Sequence, residues 1–142
     1  MTKAGENHPL PRDGGGENNG GGWLYGEEHC RGIETALRRG RPGEIYNIAG
    51  GNVRRNIVLT HKVLELTGKS RELIQLVKDR PGHDRRYSID AAKLRALGWA
   101  PRMNWDAGTA LTVKWYRDNE WWWRKIKTGE FLEYYRKQYQ ER

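Results

Sequence analysis

The sequence predicts a small α/β domain with few short strands and mostly helices, and three observations predict it. Helical and extended patterns alternate early in the chain, and helical periodicity dominates afterwards. A length of 142 residues suits one domain with a modest core. Apolar residues make up only 36 % and charged residues 31 %, but seven Trp and seven Tyr, gathered mostly in the last third, supply large apolar areas for that core.

Residues 1 to 22 read as a low-complexity leader containing GENHPLPRDGGGENNGGG. Its glycines predict a flexible segment, because ordering them costs backbone entropy that few contacts offset. Trp23, Leu24 and Tyr25 form a short extended entry. A helix follows over about 27–39, with Cys30, Ile33, Ala36 and Leu37 on one face at three- and four-residue spacing; Gly40 and Pro42 stop it. Residues 44–48 (EIYNI) read as a buried strand, and Ala49, Gly50 and Gly51 as a tight turn. The next helix starts near Asn56, presents Leu59, Val63 and Leu66 on one face and ends at Gly68. Residues 73–77 (LIQLV) read as a second strand that leads into the loop DRPGHDRR, Asp79 to Arg86. Tyr87 to Ile89 is a short extended piece. Asp90 is a good N-cap for a helix through Leu97, ended by Gly98 and Pro101. The pattern is helical again from Trp105 to about Lys127, with Leu111, Trp115 and Trp122 facing inward. Gly129 breaks it, and a final helix holds Phe131, Tyr134 and Tyr135.

Composition excludes several classes. No run of about 18 apolar residues is present to span a membrane, and the start of the chain lacks the apolar stretch of a signal peptide, so a cytoplasmic protein is expected. A single cysteine, Cys30, excludes an internal disulfide and a cysteine-based zinc site. His29 and Cys30 have no partner ligands at metal spacing and read as helix residues, at least one of them buried. The net charge of +8 favours an anionic partner, whether a nucleotide diphosphate, nucleic acid or an acidic surface. The run Trp121-Trp122-Trp123 is weak support for nucleic acid: stacking needs exposed rings beside one basic groove, whereas consecutive helical positions point about 100° apart. At least one of these rings is expected in the core.

Two nucleotide motifs fail. Gly68-Lys69-Ser70 resembles the end of a P-loop, but Val63 stands where the loop needs its first glycine. The leader glycines do not form G-x-G-x-x-G and follow no strand. No tyrosine has a lysine four residues later, so the Tyr–Lys acid–base pair of short-chain dehydrogenases is missing too. No cofactor is expected to be bound by this chain. The segment from Asp79 to Arg86 is different. Pro81 fixes its own backbone angle and Gly82 permits a sharp reversal, so the loop can hold Arg80, His83, Arg85 and Arg86 in fixed directions. Guanidinium groups grip phosphate oxygens with two prongs, which makes a diphosphate clamp one reading. An Arg-rich surface turn tied down by Asp79 and Asp84 is the other, and the residues alone leave both open.

The order WLY-x-E-x-HC-R-x-I, RPGEIYNI-x-G, VKDRPGHDRRYSID, LGW-x-P and KWYRDNEWWW resembles the C-terminal third of bacterial dTDP-glucose 4,6-dehydratases, which are extended short-chain dehydrogenases/reductases. The likeness covers about residues 23 to 142, and the DRPGHDRRY-x-ID block is its most specific element. It implies a small C-terminal domain with the Rossmann half absent, binding dTDP-glucose or a related nucleotide-sugar. Asp79, Arg80, Pro81, Gly82 and His83 would lie against that ligand, joined by Asn56, which also stands where a helix N-cap belongs. The family reaction oxidises the sugar at C4 with bound NAD, loses water across C5 and C6, and returns the hydride to C6. It yields dTDP-4-keto-6-deoxyglucose for nucleotide-sugar metabolism, including the dTDP-rhamnose pathway. The groups that do this chemistry belong to the N-terminal half of the family, so the resemblance implies a truncated lyase: no catalytic residues, no turnover by this chain alone and at most weak dTDP-sugar binding. The alternatives are an inert fragment without a ligand and a basic nucleic-acid-binding module. An apolar face left without its partner domain would favour self-association. One departure stands out. The family has a segment like PLPVYGDGxNVRDWLY, whose arginine contacts phosphate. Here PLPRDGGGENNGGGWLY puts glycines, around Gly21 and Gly22, where that arginine and the following aspartate belong. Such a contact is worth about 1.5–3 kcal/mol, so its loss implies binding weaker by about tenfold or more.

Overall fold

Two separate apolar clusters organise the fold, one beside the start of the chain and one around a single tryptophan. A computed structural model describes residues 1–13, 19–79, 82–127 and 129–139. The elements run α1 (Thr2–Gly5), β1 (Leu10–Asp13), β2 (Gly20–Gly22), α2 (Gly26–Arg39), β3 (Val53–Arg55), α3 (Asn56–Thr67), a 3-10 turn (Arg71–Leu73), β4 (Ile74–Val77), β5 (Arg86–Tyr87), α4 (Ala92–Arg95), α5 (Trp105–Asp118), α6 (Glu120–Arg124) and α7 (Gly129–Tyr139). The described residues thus form an α/β fold of many helices and few short strands. β1 pairs in parallel with β4, Leu10 opposite Ile74 and Asp13 opposite Val77. β2 is the middle of a three-stranded sheet, antiparallel to β3 and parallel to β5.

Sequence punctuation sets several of these boundaries. α2 stops at Gly40 and α3 at Gly68, whose φ of 65° lies in the left-handed region; Asp90 Oδ1 accepts from the Ala92 N–H at 2.9 Å, but Ala91 rather than Asp90 occupies the N-cap of α4, which ends at Arg95 and not Leu97. The segment expected to be flexible carries α1, β1 and β2 in its described residues. The ladder with β4 satisfies the backbone of residues 10–13, and Ala4 is fully buried in the first cluster with Val63 and Leu64 of α3 and Val113 of α5. These partners lie 59 or more residues away, so the local glycine content gives no sign of them. Residues 14–18 of that segment lie outside the described residues.

Lys3 is an internal cost of this arrangement. Burial, and then the charge of Lys127, push its amine down to about 8; Lys127 itself pairs with Glu6. A lysine whose folded pKa lies below its unfolded value destabilises the fold while it is charged, fully so below about pH 8, and the cost fades as pH rises towards the unfolded value near 10.5. Lys3→Met is therefore expected to stabilise the chain at pH 7. The gain is about 1 kcal/mol after discounting for the solvent screening of a partly exposed amine. Urea unfolding at pH 7 and at pH 10.5 checks it: a gain that does not shrink at the higher pH would refute the account.

The second cluster is Ala91, Leu94 and Trp99, with Leu24, Ala36, Tyr46 and Ile48 packed against it. Trp99 is 2 % exposed, and its indole N–H donates to the Glu28 carbonyl at 3.3 Å. The Glu28 carboxylate, itself buried on α2, accepts from the Met103 N–H and from Arg31.

Four expectations need correction. The buried side of α2 is Glu28 and Gly32 with half-buried Ala36, while Cys30, Ile33 and Leu37 face outward, Leu37 being 83 % exposed. The cause is close approach: a Cβ on Gly32 would sit 2.6 Å from Ile48 Cγ2, so the backbone rather than a large side chain meets the core. His29 and Cys30 are consequently both exposed. Residues 44–48 form no ladder; Tyr46 and Ile48 hold them by packing on the second cluster, and Ile45 is exposed. The long helix breaks at Asn119 (φ −120°), giving α5 and α6. On these helices Gly108, Thr109, Val113 and Trp123 are buried, whereas Leu111, Trp115 and Trp122 are each more than 40 % exposed. Trp123 is the core ring of its run, as the helical geometry requires.

Candidate functional site

The DRPGH loop leaves β4 and turns back at Gly82, whose φ of 68° is a left-handed conformation that a glycine adopts without steric cost. The reversal brings His83 onto the Asp79 carboxylate, Nδ1 to Oδ1 at 2.7 Å. Asn19, just before β2 and only 5 % exposed, reaches the same imidazole with its Nδ2 at 3.1 Å from Nδ1 and 3.3 Å from Nε2. The consistent assignment has Nδ1–H donating to Asp79, with the Asn19 amide lying against the ring at similar distances from both nitrogens. His83 is thereby fixed in position, tautomer and orientation by groups on both sides.

Asn19 also ties this corner to α3, since its carbonyl accepts the Asn56 N–H at 2.8 Å. Arg55 occupies the N-cap and Asn56 is the first helical residue, which corrects the capping expectation for Asn56. Asn56 and His83 line one cavity of about 600 Å³. Leu10, Pro11 and Arg12 of β1 form one wall, Thr60 and Leu59 of α3 another, and the rings of Phe131 and Tyr134 on α7 a third. Lys3 stands at its side. Positive charge dominates the lining through Arg12 and Lys3, and Arg12 is felt beyond the cavity. Burial first, then Arg71, then Arg12, lower the pKa of His61 on α3. A concave site with cations on one side, amide and hydroxyl groups at the corner and aromatic rings opposite suits an anionic ligand with a flat or apolar body.

The structure thus brings Asn56 and His83 together, sets Asp79 behind His83 and uses Gly82 for the turn. Arg80 and Pro81 lie outside the described residues. Asn19 and Arg12 are site residues that the sequence reading passed over. Asn19 sits in a low-complexity stretch with no signal, while Arg12 is visible only as a charged residue in PLPRD. Among the described residues no group of His, Cys, Asp or Glu is arranged to hold a metal ion, and no helix is long and apolar enough to cross a membrane.

No protein-family model matches the sequence. Among curated proteins, the chain is 45 % identical over 136 residues to a probable dTDP-glucose 4,6-dehydratase of Sinorhizobium fredii, covering 87 % of this chain and 39 % of that protein. It is 48 % identical over 102 residues to a dTDP-glucose 4,6-dehydratase of an Actinoplanes species, covering 71 % of this chain and 32 % of that one. Among solved structures, the dTDP-glucose 4,6-dehydratase DesIV of Streptomyces venezuelae, with NAD and dTDP bound, superposes with a TM-score of 0.82 at 42 % identity over 89 % of this chain and 39 % of that one. A UDP-glucose 4-epimerase of Thermus thermophilus in complex with NAD follows at a TM-score of 0.73 and 26 % identity, covering 82 % and 38 %. The chain spans about two fifths of the length of the first curated relatives it matches.

Proposed function

We propose, on the premise that this chain is homologous to the C-terminal portion of dTDP-glucose 4,6-dehydratases, that it binds a dTDP-sugar and is the substrate-binding part of that lyase reaction. The observation that carries the reading is the cavity shared by Asn56 and His83, with His83 clamped between Asp79 and Asn19. In this reading Asn56 and His83 meet the ligand, Asp79 orients His83 and Gly82 shapes the loop. Arg80 and Pro81 belong to the same contact on the strength of the DRPGH motif. Fixed polar groups of this kind lose little entropy on binding.

NAD supplies the oxidant and the returning hydride in the family reaction, but the residues of this chain do not fit it. No G-x-G-x-x-G follows a strand, no Tyr–Lys pair is present, and the described strands form separate two- and three-stranded pieces rather than a doubly wound sheet with a switch point. The chain's own contribution is therefore to hold and orient the nucleotide-sugar, with no proton or hydride transfer of its own. The test is a titration of the purified chain with dTDP-glucose, followed by backbone amide shifts, beside an assay with added NAD. Saturable shifts at Asn56 and around Asp79 to His83, lost in Asn56→Ala, with no turnover above a buffer blank, are expected. Scattered or absent shifts on a well-dispersed spectrum would overturn the binding claim, and turnover would overturn the claim of inactivity.

A further inference from the structure

We infer that Arg12 is the phosphate-binding cation of this cavity, a role that rests on the nucleotide-sugar reading given above. Four groups among the described lining residues carry or can carry positive charge: the Met1 amino group, which burial and the charges of Lys127 and Lys3 push towards its neutral form, Lys3, Arg12 and His83. His83 is already held against the Asp79 carboxylate and the Asn19 amide, so its role is to wall and polarise the corner rather than to neutralise a diphosphate. Lys3 presents a single ammonium, which faces the like charge of Lys127. Arg12 is charged at every working pH, and its planar fork matches two phosphate oxygens at once.

The backbone fixes where that fork goes. Arg12 sits in β1, opposite Leu76 of β4. Side chains two apart on a strand share a face, so Arg12 projects on the side of Leu10, which packs against the first cluster and α3. That is the side on which Asn56 and Thr60 line the cavity, and the influence of Arg12 on His61 of α3 fits the same direction. β2, the neighbouring element at this corner, consists of Gly20, Gly21 and Gly22 and contributes no cation. The geometry assigns the diphosphate to the Arg12 side, between β1 and the start of α3, and leaves the nucleoside and sugar to the ring-lined side and the His83 corner.

The test titrates the intact chain with inorganic pyrophosphate, dTDP-glucose and thymidine. Wild type is compared with Arg12→Met, which keeps the apolar stem, and Arg12→Lys. Folding of each variant is verified by its amide spectrum, and the Arg12 side-chain Nε–H resonance of wild type gives a readout that needs no variant. The expected result is a shift of that resonance on adding pyrophosphate. Affinity for pyrophosphate and dTDP-glucose should fall about tenfold or more in Arg12→Met and by less in Arg12→Lys, with thymidine unaffected. An unmoved Arg12 resonance, or a folded Arg12→Met that binds pyrophosphate as wild type does, overturns the inference. If dTDP-glucose still perturbs Asn56 in that case, the nucleotide-sugar reading stands without it. Arg12-dependent binding of pyrophosphate with no gain from the nucleotide-sugar supports Arg12 as a phosphate ligand and overturns the wider reading. Binding of neither ligand overturns both.

Discussion

Trp99→Ala is expected to unfold most of the second cluster and to lower the melting temperature by roughly 10 °C or more. Trp99 is the largest fully buried side chain among the described residues and fills the space between Ala91 and Leu94 on one side and α2 on the other. Truncating a buried tryptophan costs about 3–5 kcal/mol, the lost transfer energy plus the cavity it leaves, which is a large part of the stability of a domain this size. The indole N–H also supplies one hydrogen bond to the Glu28 carbonyl, so the substitution strips a partner from a helix whose buried face is a carboxylate and a glycine. Phe at this position keeps most of the area and loses only the donor, so Trp99→Phe is expected to cost far less. Thermal unfolding of both variants decides the matter. Equal losses would mean that the hydrogen bond, not the volume, holds the cluster, and a small loss for alanine would mean that α2 and α4 do not depend on this ring.

Gly21→Arg is expected to raise affinity for dTDP-glucose by about tenfold or more, since a charge-assisted phosphate contact is worth roughly 1.5–3 kcal/mol. By the resemblance to the dehydratases, the position is one of two glycines standing about where that family has the arginine and aspartate of an NVRDWLY-like segment. It has room: a Cβ on Gly21 would meet Tyr87 atoms at 3.9 Å, ordinary contact, whereas a Cβ on the preceding Gly20 would strike the Arg54 carbonyl oxygen at 2.9 Å. Gly21→Ala is the control. It removes the entropic penalty of glycine inside a strand without adding charge, so any gain shared by both variants reflects a stiffer β2 and only the excess reflects phosphate binding. Calorimetry with dTDP-glucose and with thymidine separates the two. An arginine variant that binds like the alanine variant would mean that β2 no longer faces the ligand.

Much of the fold was legible because its boundaries are local events. Gly40 with Pro42, Gly68 and Asp90 end or start helices by backbone angle or by one side-chain hydrogen bond, and each acts within a few residues. The inward face of α3 was legible too, since Leu59, Val63 and Leu66 pack as their spacing suggests. The faces of α2 and α5 were not. Periodicity assigns large apolar residues to the core, but α2 approaches Ile48 through Gly32 and anchors Met103 through Glu28. Those partners lie 16 and 75 residues along the chain. The candidate site divides in the same way. The DRPGH loop announces itself by composition, and so does His83. Arg12 in PLPRD acquires a role only through the pairing of β1 with β4, and Asn19 in the glycine-rich stretch only through its contact with His83, 64 residues later.

That long separation has a kinetic consequence. The helices can form from near neighbours, but β1 can join β4, and β2 can join β5, only after the intervening chain has closed a loop, and closing such loops is what slows folding. The ladders gained are four residues long at most, so they return little for that closure. The Trp99 cluster, whose ring bonds Glu28 across 71 residues, waits on the same kind of closure, and the short ladders make the wall that carries Arg12 the more easily opened of the two. Access to the cavity is then a matter of local unfolding as much as of shape, and a ligand that bridges β1 to α3 acts as the bolt that keeps the first residues of the chain in place.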